Sequence, residues 1–171
     1  TVHPFGIAEE TRVARFTHCP NYSIMSGFKA TPSNDSETLK RGIQSQLAET
    51  HLDQDEISDR ALNRMVKVAL GETQEYTCQL RSISEVIDDL HIESVALLKI
   101  DAEGSELDAL AGIRDSHWHL VRQIVMEIHD SDGNLKSRIT DILESRGFTC
   151  FVEEEKRLQG SGIFNCYAIR A

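Results

Sequence analysis

The stretch Val95-Ala-Leu-Leu-Lys99-Ile-Asp101-Ala-Glu103-Gly104-Ser-Glu106-Leu107 decides how the chain folds. Its apolar run, Val95 to Leu98, leads through Lys99 and Ile100 into Asp101, and the Glu-Gly-Ser-Glu-Leu that follows reads as the start of a helix. A short, nearly continuous apolar run of this kind suits a strand covered on both faces, as in a parallel α/β sheet. Open sheets of that class take their ligands at the carboxyl ends of the strands, and this strand ends in acid. A second copy of the pattern follows in Gln123-Ile-Val-Met-Glu127-Ile-His129-Asp130. Side chains alternate along a strand. Lys99, Asp101 and Glu103 therefore share one face of the first segment, and Glu127 and His129 share one face of the second.

Outward from these two strands, the last third of the chain reads as strand, helix, strand, helix and a terminal hairpin. Ser84-Glu-Val-Ile87 begins a helix, with Ser82 or Ser84 as its cap. A helix from about Ser105 to Gly112 follows the first strand, with Leu107, Leu110 and Ala111 inward. An amphipathic helix over 134–146, stopped by Gly147, follows the second. Phe148 to Glu153 and Gly162 to Ile169 read as strands, and Glu153-Glu-Glu-Lys-Arg157 as a solvated connection between them. Alternation of this kind predicts a mainly parallel sheet with helices on its faces.

Upstream, Tyr76 to Leu80 and Thr11 to Phe16 read as short strands, and residues 1–8 are strand-like from the first residue, as in a piece of something longer. The loop Cys19-Pro-Asn-Tyr22-Ser23-Ile-Met25-Ser26-Gly27 leads into a polar stretch with turn chemistry. Apolar residues then recur at three and four over residues 36–71, predicting two helices, with Asp53 or Asp55 capping the second and Gly71 closing it. So polar a segment makes a poor core and a reasonable lid.

With 171 residues the chain is one domain or most of one. Its formal net charge of −10 argues against nucleic acid or an anionic membrane surface as the main partner. No run reaches the length of a membrane span, and the first residues have no signal-peptide pattern. Cys19, Cys78, Cys150 and Cys166 form no Cys-x-x-Cys pair, which points to reduced thiols in a cytoplasmic protein rather than a zinc site.

Leu98-Lys-Ile-Asp101-Ala-Glu103-Gly104-Ser-Glu106-Leu107 resembles the Lys-Ile-Asp-x-Glu-Gly-x-Glu strand end of the FkbM family of S-adenosylmethionine-dependent methyltransferases. The likeness continues through Leu110-Ala-Gly112-Ile and Val125-Met-Glu127-Ile-His129-Asp130, and Val2-His-Pro-Phe5-Gly6-Ile7-Ala8 looks like the family's third sheet strand. Asn21-Tyr-Ser-Ile-Met25-Ser26, the helical insert and Gly160-Ser-Gly162-Ile-Phe-Asn165-Cys-Tyr167-Ala look most like O-methyltransferase domains embedded in polyketide synthase and mixed peptide–polyketide assembly lines. The resemblance implies a class I methyltransferase (Rossmann-like) α/β sheet with a helical lid insert at about 20–75 and a C-terminal antiparallel hairpin. The family's glycine-rich cofactor turn has no counterpart here. Residues 1–171 are therefore expected to be the C-terminal part of one methyltransferase domain, lacking its first strands and binding S-adenosylmethionine poorly alone.

On this resemblance the implied reaction is methyl transfer to a hydroxyl or enol oxygen of a small-molecule or carrier-bound intermediate, beside neighbouring synthase domains. The acceptor must lose a proton, and His129, whose ordinary pKa lies near neutrality, is the natural base, with Glu103 as its partner. Beside them Asp101 is placed as a catalytic and cofactor-binding residue and Glu127 on the acceptor, with metal ligands or plain helix anchors as other readings of both; a divalent metal is possible but not favoured. Lys99 is read as an ion-pair partner for these acids. Phe5, Gly6, Ile7 and Ala8 are placed along the adenine, against a plainer reading as core strand. Tyr22, Ser23, Met25 and Ser26 are placed in the acceptor cleft, against a plainer reading as a surface turn. His117 and His119 read as surface residues flanking an inward Trp118. Two other readings stand beside this one. One is a non-catalytic remnant serving as a structural or docking element of a synthase. The other is a different Rossmann-like enzyme, against which the missing Gly-x-Gly-x-x-Gly counts.

Overall fold

The computed structural model describes residues 1–21, 26–28, 40, 59–130, 133–154 and 162–170. The chain divides into two compact units, Thr1–Ala14 with Thr77–Ala171, and Arg15–Tyr76. The described elements are β1 (Gly6–Ile7), β2 (Arg12–His18), α1 (Asp59–Leu70), β3 (Gln74–Arg81), α2 (Ile83–Asp89), β4 (Leu98–Ile100), α3 (Glu106–Ala111), a 3-10 turn (Trp118–Leu120), β5 (Gln123–His129), α4 (Leu135–Ser145), β6 (Phe148–Glu154) and β7 (Ile163–Arg170). The fold is thus mixed α/β, as the strand–helix alternation predicts, but the four-stranded sheet is not the mainly parallel one expected, since only its β4–β5 pairing is parallel.

In the larger unit, β4-β5-β7-β6 form one sheet. β4 and β5 are parallel, whereas β7 is antiparallel to both β5 and β6, giving the terminal hairpin. The alternation along β5 puts Ile124, Met126 and Ile128 on one face, where all three are fully buried. They join Ile139 and Leu143 of α4, Ala109 and Leu110 of α3, Trp118 and Cys166 in one core. Burying each such side chain contributes roughly 2 kcal/mol. Two edge-to-face rings, Trp118 and Phe148, 6.2 Å apart, close one end of it.

The opposite face of this sheet departs from the expectation of a strand covered on both sides. Leu97, Phe151, Tyr167 and Ile169 are exposed there, and only Leu98–Ile100 pairs as strand, with Val95 reduced to a single bridge to Val121. A shallow groove on this face is lined by Val125, Thr149, Phe151, Tyr167 and Ile169. The apolar content of 95–100 therefore serves one covered face and one bare one.

β1 lies parallel to β3, pairing Gly6 with Leu80 and Ile7 with Arg81. Ser82 caps α2 in a reciprocal capping box with Glu85. Behind α3, the backbone of Gly112 accepts from Ser84 at 3.0 Å, and Arg114 donates its backbone N–H to the Ser84 hydroxyl at 2.8 Å. These bonds tie α2 to the end of α3.

In the smaller unit, Leu62 and Val66, four apart on α1, are buried, as is Cys19 after β2. The helix ends at Gly71, whose φ of +59° is the left-handed C-terminal conformation that glycine adopts without strain. Thr17 and Gly27 exchange two backbone hydrogen bonds that close the loop between them. Of the segment expected to be helical, residues 36–39, 41–58 and the cap candidates Asp53 and Asp55 lie outside the described residues. No helix among the described residues is long and apolar enough to cross a membrane.

Candidate active site

Parallel pairing of β4 and β5 brings their carboxyl ends side by side. The chain leaves β4 through Asp101 and turns at Glu103 and Gly104, whose φ values are +43° and +82°. Glycine carries that conformation freely, but Glu103 holds it at a cost of about 1 kcal/mol or more, and such strain gathers at functional sites. The turn delivers Glu106 into the first turn of α3, where it is fully buried. The end of β5 is fixed by Asp130. Its backbone N–H donates to the Gly162 carbonyl at 2.7 Å, and its carboxylate accepts from the N–H groups of Leu135 and Lys136 at 2.8 and 3.2 Å. A carboxylate on the first amides of α4 is stabilising there.

Between these two strand ends stands His129. Its Nδ1 lies 2.8 Å from Oε1 of Glu106, which also accepts the Gly104 N–H at 2.9 Å. The other ring nitrogen, Nε2, faces two carboxylates at nearly equal distance, Oε2 of Glu103 at 3.1 Å and Oε1 of Glu127 at 3.2 Å. The ring is about a fifth exposed, so one edge remains open to solvent.

The electrostatics follow from this crowding. Burial disfavours a charged imidazole, but the hydrogen bonds and negative charges of Glu103 and Glu106 outweigh it, and the His129 pKa is pushed up to about 10. Burial likewise pushes Glu106 up, but the hydrogen bond from His129 and backbone N–H bonds hold its carboxyl below the ordinary range. Glu127 goes the other way: burial, aided by the charges of Asp101 and Glu103, raises it despite the imidazolium. The expectation of a histidine titrating near neutrality is therefore corrected. Three carboxylates around one ring make His129 an imidazolium at neutral pH, and a base only after it gives up a proton.

Of the residues singled out in the sequence, the structure brings His129, Glu103 and Glu127 together. Asp101 pairs with Lys99 at 2.7 Å. Gly6 and Ile7 stand in β1 and remain partly open, Phe5 lies under the Arg81 guanidinium at 5.2 Å, and Ala8 is packed into the core with its N–H on the Arg81 carbonyl. Ser26 Oγ accepts the Cys19 N–H at 3.0 Å and lies 3.2 Å from His18 Nδ1. Tyr22, Ser23 and Met25 lie outside the described residues. Trp118 is buried as expected, and His117 is held on Ser84 Oγ at 3.0 Å rather than free on the surface.

Glu106 escaped the sequence reading as a site residue although it closes the quoted motif. Its signal was an acid three residues after Glu103, across a glycine, at the start of a helix. As a set, these groups can hold or move a proton at Nε2 and attract a cation. Nε2 and one oxygen each of Glu103 and Glu127 lie within 4.8 Å of one another, the only such grouping of metal-ligand atoms among the described residues.

The Methyltransferase FkbM domain family matches residues 7–150. The chain is similar to the AMB antimetabolite synthetase AmbE of Pseudomonas aeruginosa, 33% identical over 99% of this chain and 8% of that protein. It is also similar to the 31-O-demethyl-FK506 methyltransferase FkbM of Streptomyces tacrolimicus, 31% identical over 96% of this chain and 60% of that protein. The methyltransferase sdnD of Sordaria araneosa is 35% identical over 84% of this chain and 51% of its own length. The chain thus spans less than two thirds of each of these relatives. No solved structure gives a significant match.

Proposed function

Because the chain belongs to the FkbM methyltransferase family, we propose that it serves S-adenosylmethionine-dependent O-methyl transfer to a hydroxyl or enol oxygen of a polyketide or peptide intermediate. The observation that carries this reading is the His129 ring, held by Glu106 on Nδ1 and facing Glu103 and Glu127 through Nε2 at two adjacent strand ends. The names of two relatives support the substrate class: one is a 31-O-demethyl-FK506 methyltransferase, the other an antimetabolite synthetase. The latter, of which the chain spans 8%, also supports a carrier-bound acceptor and neighbouring synthase domains.

The donor chemistry fits a sulfonium. Glu103, Glu106 and Glu127 outnumber the single imidazolium, so the strand ends are electronegative and favour a cationic cofactor. Phe5, Gly6 and Ile7, partly open beside Arg81, would line the adenine, and Asp101 would take a cofactor hydroxyl. When bound, S-adenosylmethionine supplies the electrophilic methyl group. His129, once neutral, would take the acceptor's O–H proton at Nε2. Glu106 keeps the Nδ1 proton in place and stabilises the imidazolium that results. Glu103 and Glu127 hold the acceptor edge of the site.

Residues 1–171 are further proposed to be the C-terminal part of one methyltransferase domain. The bare apolar face of the β4-β5-β7-β6 sheet supports this, as does the extra length of the relatives. The same bare face favours the second reading, a remnant that docks within a synthase. Calorimetric titration of S-adenosylmethionine into this chain and into one extended upstream separates the two. Binding to the extended chain, weakened by Asp101→Ala, supports methyl transfer. Binding to neither leaves docking as the function.

A further inference from the structure

We propose that Nε2 of His129, one oxygen of Glu103 and one oxygen of Glu127 form a binding site for a first-row divalent transition-metal ion. The two distances from Nε2 match those within a coordination shell, and the two carboxylate oxygens lie within 4.8 Å of each other. Ligand atoms bonded at about 2.0–2.1 Å to a common ion lie about 3.0 Å apart at right angles and about 3.3 Å apart at the tetrahedral angle. Here Nε2 stands 3.1 Å from the Glu103 oxygen and 3.2 Å from the Glu127 oxygen. A ring nitrogen carries at most one proton, which can be directed well at only one of two equidistant carboxylates. An ion serves both.

The surroundings of the ring supply a second, independent argument. Imidazole ligands of metals almost always donate their other N–H to a carboxylate or carbonyl, which sets the tautomer and raises the basicity of the ligating nitrogen. Glu106 does this for His129 at 2.8 Å, from a fully buried position. Its second oxygen, Oε2, is buried and meets no hydrogen-bond donor of another described residue. That carboxylate, itself fixed by the Gly104 N–H, holds the ring in the orientation that presents Nε2 to Glu103 and Glu127.

One imidazole and two carboxylates, with further positions open to water or ligand, suit Mn²⁺ or Zn²⁺ better than Ca²⁺, whose sites are built of oxygen alone, or a thiolate-seeking ion. Occupancy would consume the nitrogen that serves as base in the proposed reaction. The inference does not rest on that reaction, since its test reads binding alone. Mn²⁺ is titrated into the ¹⁵N-labelled chain while paramagnetic broadening is followed, and affinity is measured by calorimetry with Zn²⁺. Expected are a first broadening confined to residues 101–106 and 127–130, one ion per chain, and at least ~10-fold weaker binding in both Glu127→Gln and Glu103→Gln. Circular dichroism verifies that each variant is folded. Broadening centred elsewhere, or unchanged affinity in the folded variants, overturns the site.

Discussion

Oε1 of Glu106 accepts a hydrogen bond from Nδ1 of His129 at 2.8 Å, joining the first turn of α3 to the last residue of β5. Both partners are largely removed from water, with Glu106 fully buried and His129 about a fifth exposed. Removing the Glu106 charge takes the fully buried partner from Nδ1 and leaves the imidazolium only Glu103 and Glu127, at Nε2. Glu106→Gln is expected to destabilise the chain by about 3 kcal/mol at pH 7, read as a lower urea midpoint. A loss under about 1 kcal/mol, the scale of an exposed pair, would mean that the pair carries no buried charge.

The same pair sets the pH dependence of stability. The His129 pKa is raised from 6.5 to about 10, so its contribution is complete below about 6.5 and is lost as pH rises through about 10. That of Glu106 is lowered, so its contribution is present above the ordinary value of 4.5 and is lost as pH falls through its folded value. The pair therefore stabilises most at mildly acid to neutral pH. NMR titration of the His129 ring should show a midpoint near 10 that moves down in Glu103→Gln, and a midpoint near 6.5 in the folded wild-type chain would refute the cluster's electrostatics.

Catalysis, if His129 is the base, runs against this stability. Only the neutral ring accepts a proton, so kcat/KM for methyl transfer should climb about tenfold per pH unit below the folded pKa. Glu103→Gln should bring the plateau to lower pH. A rate independent of pH from 7 to 9, with chemistry limiting, would assign the base to another group.

Gly112 ends α3 against Ala8, the residue that follows β1. A methyl group there would lie 2.5 Å from the Ala8 carbonyl oxygen and 3.3 Å from the Ile83 nitrogen, both backbone atoms that cannot swing aside. Gly112→Ala should lower the melting temperature by the equivalent of 1–3 kcal/mol, the usual scale of overpacking. Gly104 presents a different case, since its site is open but its φ of +82° is not one for alanine. An unchanged melting temperature in Gly112→Ala would show that the contact yields.

Phe151 and Ile169 stand exposed on the bare sheet face. Phe151→Lys and Ile169→Lys should change the stability of the 171-residue chain by less than about 0.5 kcal/mol while reducing its binding of a hydrophobic dye. In a chain extended by the rest of its proposed domain, the same substitutions should destabilise. Equal tolerance in both chains would argue that nothing covers this face.

Much of this was legible in the residues. The terminal elements read from period and caps, including the α4 stop at Gly147 and the Ser82 cap of α2, agree with the structure to within a residue or two. His129, Glu103 and Glu127 were legible as a group because polar side chains ending two apolar strands have few reasons to be there. The shared face of Lys99, Asp101 and Glu103 led to the right residue by an incomplete route. The strand stops at Ile100, and Glu103 reaches His129 through a left-handed turn instead of by alternation.

The amino-acid sequence by itself determined the order of elements, the family and the polar strand ends, because period, capping chemistry and a contiguous motif are local properties of the chain. Tertiary structure alone decided that Glu106 stands behind the imidazole, that Asp101 turns to Lys99, and that His129 holds its proton up to about 10. A pKa is the sum of burial and of charges brought in from residues that are distant in sequence, and only the packed sheet sets those distances.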